Sequence, residues 1–341
     1  MTAAVGTLVQ NARRIDPVYM ALIALLIAIA AISMAQFADS IVFLLKAMLG
    51  ISPFLLLSMA AAGGAQATGL DQRISTIVTG RTTMVILGAA FFGALVPLCS
   101  CGVIPLIAAL LAAGVPLGPV MAFWISSPLM SIEKYILATA VFDVGFATAY
   151  LVTAMVMGAI AGFVTQAIVV RGGFADTLKT GVIGCCASNA IKADRPLLWK
   201  FWQEPERVTV FRETSISSGA FLLKWLSLAF VIESLMVAYL PPEYVGQVLG
   251  SGDWWTVPAS TVVGIPAYLN GFAAIPMVAR LVEMGAAPGA ALAFLTAGAV
   301  TSIPAAMGVF ALVRKSVFIA YIFFGVAGSL AAGYTYQAFF I

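Results

Sequence analysis

The sequence predicts an all-α polytopic membrane protein made of two inverted-topology repeats with broken, re-entrant helices, preceded by one extra N-terminal helix. Three observations predict it. The chain of 341 residues is 62% hydrophobic and only 9% charged, and its mean hydropathy of +1.07 lies outside the range of soluble globular domains. Apolar stretches long enough to cross a hydrocarbon core of about 30 Å, which takes roughly 20 helical residues, recur from Pro17 to the last residue. That leaves no room for a soluble catalytic domain, so an enzyme is not expected. Finally, the chain resembles itself at an ungapped shift of 171 residues, the distance from Gly93 to Gly264.

The self-similarity falls on structurally demanding residues. Ile104-Pro105 matches Ile275-Pro276, Gly114 matches Gly285, Gly118 matches Gly289, Ala122-Phe123 matches Ala293-Phe294, and Ser131-Ile132 matches Ser302-Ile303. A weaker echo precedes it, FLLK at 43–46 recurring at 221–224. The organisation that follows is an N-terminal segment with an extra helix (1–40), a first repeat (41–169), a polar loop (170–218) and a second repeat (219–341). Arg13 and Arg14 precede the apolar run 18–36, but no small-residue cleavage pattern leads into a mature soluble domain. The run is expected to be a retained helix.

Orientation follows from lysine and arginine. Arg13, Arg14, Arg73, Arg81, the seven basic residues of 170–218, Arg314 and Lys315 are all expected on the cytoplasmic side of a plasma (inner) membrane. If every apolar block crossed fully, loop 170–218 would fall outside. One block per half must therefore enter and leave on the same side. The candidates are 84–112 and 255–283, each interrupted at its centre, by PLCSCG in the first and GIPAYLNG in the second. With both re-entrant the two repeats are inverted, as in many secondary transporters whose substrate site lies at the midplane where broken helices meet. The alternative is that both blocks are kinked full spans.

There is no histidine, which removes the commonest metal ligand and the usual proton shuttle. Soft-ligand chemistry falls to the cysteines and methionines. Cys185 and Cys186 lie in the basic loop and are read as incidental. Cys99 and Cys101 lie in the first interruption, where Pro97, Gly102 and Pro105 each weaken helical hydrogen bonding, so the segment is expected to line a cavity. On an extended or turned backbone two thiols at i and i+2 can approach one small ligand, and thiolates bind trivalent arsenic, Cu(I) or Zn. A closed four-ligand zinc site is not expected; Cys99 and Cys101 are metal ligands only if the cargo is a metal ion. The plainer reading is that small Cys and Ser side chains allow close helix packing.

At the matching positions of the second half stand Tyr268, Asn270 and Phe272. Tyr268 and Asn270 are candidates to complete the cavity. Ser126-Ser127-Pro128 is expected either to break its helix and present hydroxyls to a substrate or to form a kink whose hydroxyls bond their own carbonyls. Charges at membrane depth mark functional sites by default. Glu233, within LAFVIESLMVAYL, is the deepest carboxylate, suited to proton coupling or to an ion pair with Lys46 or Lys224. No nucleotide fingerprint sits in a fitting context, so no cofactor and no nucleic acid partner are expected, and transport would draw on an ion gradient or a separate energising subunit.

At PLCSCGVIPLIAALLAAGVPLG, FWISSPLM and GIPAYLNG the sequence resembles the predicted permease family that contains the ArsP-like organoarsenical efflux permeases and YraQ-like proteins, over about residues 40–335. The resemblance implies an inner-membrane permease whose cysteine motif contacts trivalent organoarsenicals and exports them by exchange with protons. It carries over Cys99 and Cys101 as ligands, with Pro97, Ser100, Gly102, Pro105, Ser126, Ser127 and Pro128 shaping the site. Gly102 stands where arsenical exporters commonly have serine, and branches with Cys-Ser-Cys-Gly resemble copper or zinc exporters. The expected function is proton-coupled export of a small thiophilic solute, a trivalent organoarsenical foremost. The alternatives are Cu or Zn efflux, or a membrane subunit that moves nothing and docks a partner through loop 170–218.

Overall fold

The computed structural model describes residues 16–69, 82–96, 100–174, 177–179, 198, 200–239, 254–268 and 271–340. Cys185 and Cys186, with most of loop 170–218, lie outside the described residues, as does the segment before residue 16. Among the described residues the regular structure is α-helical, apart from one 3₁₀ turn at Phe201–Gln203 and an isolated bridge between Leu178 and Val313.

Helix α1 (Pro17–Ile32) starts where the Asp16 side chain accepts the Val18 N–H and Pro17 supplies a preformed first turn. It stops after 16 residues, at extended Ser33, so the predicted run 18–36 is split. The Ser33 hydroxyl caps α2 (Met34–Thr68), which ends at Gly69 in the left-handed region. The first half continues with α3 (Thr82–Leu95), α4 (Ser100–Ala112), α5 (Leu117–Leu129), α6 (Ile132–Val141) and α7 (Val144–Val170). The second half comprises α8 (Pro205–Tyr239), α9 (Thr256–Ala267), α10 (Gly271–Glu283), α11 (Pro288–Thr301), α12 (Ile303–Leu312) and α13 (Lys315–Phe340).

The bounds of α2 and α8, α4 and α10, and α6 and α12 coincide under the same 171-residue shift that aligns the sequence. Close approaches coincide too. A Cβ on Gly93 would lie 3.0 Å from the Phe123 carbonyl, and one on Gly264 would lie 2.7 Å from that of Phe294. Gly118 packs on Gly162 and Gln166 as Gly289 packs on Gly333 and Gln337. Without the hydrophobic drive of water, helices in lipid associate through such small-residue contacts. They make α3, α5 and α7 one tight group and α9, α11 and α13 another.

Five stretches are long and apolar enough to cross a membrane among the described residues: Met34–Pro53, Val144–Val170, Pro205–Tyr239, Pro288–Leu312 and Lys315–Phe339. By contrast α3, α4, α9 and α10 have 14, 13, 12 and 13 residues, about 20 Å each at 1.5 Å per residue. None of the four spans the hydrocarbon alone.

Helices α7 and α13 run antiparallel. Phe146 in the first turn of α7 meets Tyr336 near the end of α13 at 5.5 Å between ring centroids, and Met157 packs on Gly328 at mid-length. The residues after α7 reach the start of α13, where the Lys179 N–H donates to the Leu312 carbonyl at 3.1 Å and Arg314 to Thr177 at 3.0 Å. One end of this pair therefore carries Arg171, Lys179, Arg314 and Lys315. The other carries Asp143, Trp254, Tyr334 and Tyr336, with the Tyr334 hydroxyl on the Trp254 carbonyl at 2.9 Å. Helices α2 and α8 are also antiparallel, since Ser40 bonds Ser234 at 2.9 Å while Gln66 bonds Thr214 at 2.7 Å.

The same contacts place the short helices. Ile86 of α3 lies against Gly162, and Gly118 at the start of α5 lies against Gly162 and Gln166, so the α3–α4 unit begins and finishes toward the basic end. In the second half Val257 of α9 lies against Gly333, and Gly289 at the start of α11 against Gly333 and Gln337. The α9–α10 unit begins and finishes toward the other end. Each unit turns into the next helix through a left-handed glycine, Gly114 at φ 84° and Gly285 at φ 104°.

Replacing Gly158 or Gly264 by valine should destabilise the protein by about 1–3 kcal/mol through overpacking, since a Cβ on either would sit 2.7 Å from a neighbouring helix carbonyl. Gly88→Ala, with nothing within 4 Å, should instead be neutral or gain up to roughly 1 kcal/mol. Thermal unfolding of purified protein in detergent checks both.

Candidate functional site

The interruptions in the short-helix units fall where the sequence predicts them. Helix α3 stops at Leu95, before Val96, whose helical conformation is disfavoured by the proline that follows. Pro97 and Cys99 lie outside the described residues. Ser100 and Cys101 open α4, so the second cysteine of the motif stands in a helical first turn rather than on extended backbone. The Gly102 carbonyl, one residue on, accepts the Ser58 hydroxyl of α2, beside the place where Pro105 removes a helical donor.

In the second half α9 ends at Ala267 and Tyr268 is extended. Asn270 lies outside the described residues. The Tyr268 ring packs directly on Gly298, a Cβ there falling 2.5 Å from Cγ and 2.6 Å from Cδ2. Its hydroxyl is buried and has no hydrogen-bond partner. Tyr150 of α7, which donates to the Leu295 carbonyl at 3.4 Å, lies beside Tyr268. Nothing in the sequence pattern singled out Tyr150, because an aromatic residue on a membrane helix is ordinarily packing.

Ser126 and Ser127 are fully buried. They do not break α5, which continues to Leu129. The Ser126 hydroxyl donates to the Ala122 carbonyl at 2.9 Å, leaving the helical ladder intact. The Ser127 hydroxyl has no partner. The break comes later, at extended Met130 and Ser131. There the Lys134 ammonium reaches back to the Pro128 carbonyl at 2.6 Å, and Ser131 caps α6 by accepting the Lys134 N–H at 3.3 Å.

Glu233 is 3% exposed, and its Oε2 has no partner. Lys224 is not its counter-ion, because Lys224 is engaged with Asp16. Glu233 lies on the face of α8 that carries Leu222, Leu226 and Phe230 into the core. Among the described residues no three His, Cys, Asp or Glu side chains gather as a metal site. What converges is instead a set of hydroxyls and helix ends flanking two interrupted helices, with one cysteine motif on one side and a phenol on the other.

Residues 36–338 match the ArsP_1 family, described as predicted permeases. The chain belongs to that family. The permease is also 22% identical over 299 residues to UPF0718 protein MJ0584 of Methanocaldococcus jannaschii, covering 72% of this chain and 80% of that protein. It is 33% identical over 79 residues to UPF0718 protein YcgR of Bacillus subtilis, covering 23% of this chain and 27% of that one. No solved structure matches. The match begins beyond α1, so the helix that holds Asp16 against Lys224 precedes the shared permease region.

Gly298→Ala should displace the Tyr268 ring and cost about 1–3 kcal/mol. Adding Tyr268→Ala to that variant should cost less than Tyr268→Ala costs alone, a coupling that a thermal double-mutant cycle reads directly.

Proposed function

We propose that the permease exports a small thiophilic solute, a trivalent organoarsenical foremost, by proton-coupled alternating access between two inverted halves. The observation that carries this reading is the pair of short-helix units that enter from opposite ends and stop part-way. One bears the Cys99-Ser100-Cys101 segment and the other bears Tyr268 and Asn270. Irregular backbone at membrane depth is tolerated where protein or a water-filled cavity satisfies it, and broken helices meeting between inverted repeats form the substrate site in many secondary transporters. The antiparallel course of α7 and α13, whose bounds match under the sequence repeat, supports the inversion.

Cys99 and Cys101 would hold the arsenic by thiolate exchange, a chemistry that suits soft acceptors. Pro97, Ser100 and Gly102 would shape that wall. Ser126, Ser127 and Pro128 would flank it, with Tyr268 and Asn270 opposite, the two unpartnered hydroxyls of Ser127 and Tyr268 serving oxygen substituents of the solute. Glu233, a buried carboxyl with no partner at membrane depth, would carry the proton. The basic end with Arg171, Lys179, Arg314 and Lys315 would face the cytoplasm of a plasma (inner) membrane, together with loop 170–218 and the N-terminus.

In arsenic-sensitive cells the chain should protect against methylarsenite, and Cys99→Ser with Cys101→Ser should abolish that protection at unchanged protein level. Protection against copper or zinc alone would instead assign a metal cargo. In proteoliposomes Glu233→Gln should leave substrate binding in place and remove the response of flux to an imposed pH gradient.

The inversion has its own test. With the native cysteines replaced by serine, Ala113→Cys and Met284→Cys, which end the two short-helix units, should react with an impermeant thiol reagent from opposite faces of the membrane. Labelling of both from one face would overturn the inverted arrangement.

A further inference from the structure

The end of α5 is an unusual place for a lysine. The last four carbonyls of a helix have no donor within it, and the helix dipole adds partial negative charge there. At the break after Leu129 this negative end lies within the bundle, next to buried Ser126 and Ser127. Lys134, one turn into α6, turns back across the break and sets its ammonium 2.6 Å from the Pro128 carbonyl. The Ser131 hydroxyl and the Glu133 carboxylate lie alongside, 3.3 Å from each other.

The matching break of the second half is closed differently. The position equivalent to Lys134 is Ala305 and that of Glu133 is Pro304. There the end of α11 is met by a neutral donor, the Tyr321 hydroxyl on the Val300 carbonyl at 2.7 Å. Only the first half brings a full positive charge to a half-helix end among these two breaks. In transporters with discontinuous helices, the C-terminal ends of half-helices and unwound carbonyls are where a coupling cation binds.

We infer that Lys134 is a tethered cation: its ammonium occupies a monovalent-cation site formed by the Pro128 carbonyl, the Ser131 hydroxyl and the Glu133 carboxylate, and so makes the permease independent of sodium at this position. Lys134 is a positioning residue, acting on the end of α5 that carries Ser126 and Ser127. Its role in transport rests on the function proposed above, whereas its occupancy of a cation site does not.

The test therefore has two arms. Purified wild type, Lys134→Met, Lys134→Gln and Lys134→Arg are melted in detergent in sodium, ammonium and N-methylglucamine chlorides, with Lys46→Met, an exposed lysine of α2, as control. In N-methylglucamine chloride both neutral variants should melt roughly 5 °C below wild type. Sodium or ammonium should restore them saturably. Wild type, Lys134→Arg and Lys46→Met should show no such cation-specific rise. If Lys134→Met does not fold, Lys134→Gln decides. A neutral variant that melts like wild type in N-methylglucamine chloride, or equally low in all three salts, overturns the inference.

In the second arm the same variants are reconstituted, and the cation that restores melting should restore methylarsenite flux. Flux that stays lost with that cation while melting recovers would overturn the transport role. Absence of flux in wild type as well, with the melting result intact, would count against the proposed function and leave the cation site standing.

Discussion

Every interruption of a helix inside a bilayer frees carbonyls and amides that lipid cannot satisfy, so each must find a donor or acceptor on another element. That requirement organises this permease. The Gly102 carbonyl near the first break takes the Ser58 hydroxyl from α2. The Pro128 carbonyl takes the Lys134 ammonium across the α5–α6 break. Two carbonyls of α11 take phenols, Leu295 from Tyr150 and Val300 from Tyr321. Three of these four donors come from a different long helix, α2, α7 or α13, so the breaks themselves dictate which full-length helices stand next to the short ones.

Close packing supplies the rest of the scaffold. Gly118, Gly158 and Gly162 let α5 and α7 approach until a Cβ would strike the facing backbone, and Gly289 and Gly333 do the same for α11 and α13. Because the same contacts recur at the sequence repeat, each half is a copy of one packing solution. The two copies meet along antiparallel partners, α2 with α8 and α7 with α13, and at the reciprocal pairs α4 with α12 and α6 with α10. The antiparallel meeting turns the short-helix units toward each other from opposite ends.

The two halves share a frame and differ in chemistry at the breaks. One presents the cysteine segment and a charged closure at Lys134; the other presents Tyr268 against Gly298 and a neutral closure at Tyr321. Unlike walls on a common frame allow one solute to be held by a soft ligand on one side and by hydroxyls on the other. The carboxyl of Glu233 stands apart from both breaks on α8, where no described side chain neutralises it.

The sequence by itself determined the class of the protein, the duplication, the register of the two halves and the position of the first and third interruptions, since hydropathy, glycine and proline act locally on helix formation. It also marked Lys134 and Glu233 as charges at depth. It was less informative about Ser126-Ser127-Pro128, where serine hydroxyls can either open a helix or bond within it. The structure keeps the helix whole to Leu129 because Ser126 bonds the Ala122 carbonyl, and moves the break to Met130. Only the tertiary structure decided the partners: Lys224 with Asp16 rather than Glu233, Lys134 with a helix end three residues before its own helix-capping serine, and Tyr150 with Tyr268. Such pairings depend on which side chains from distant segments share one dry space, and the spacing of residues along the chain does not encode that.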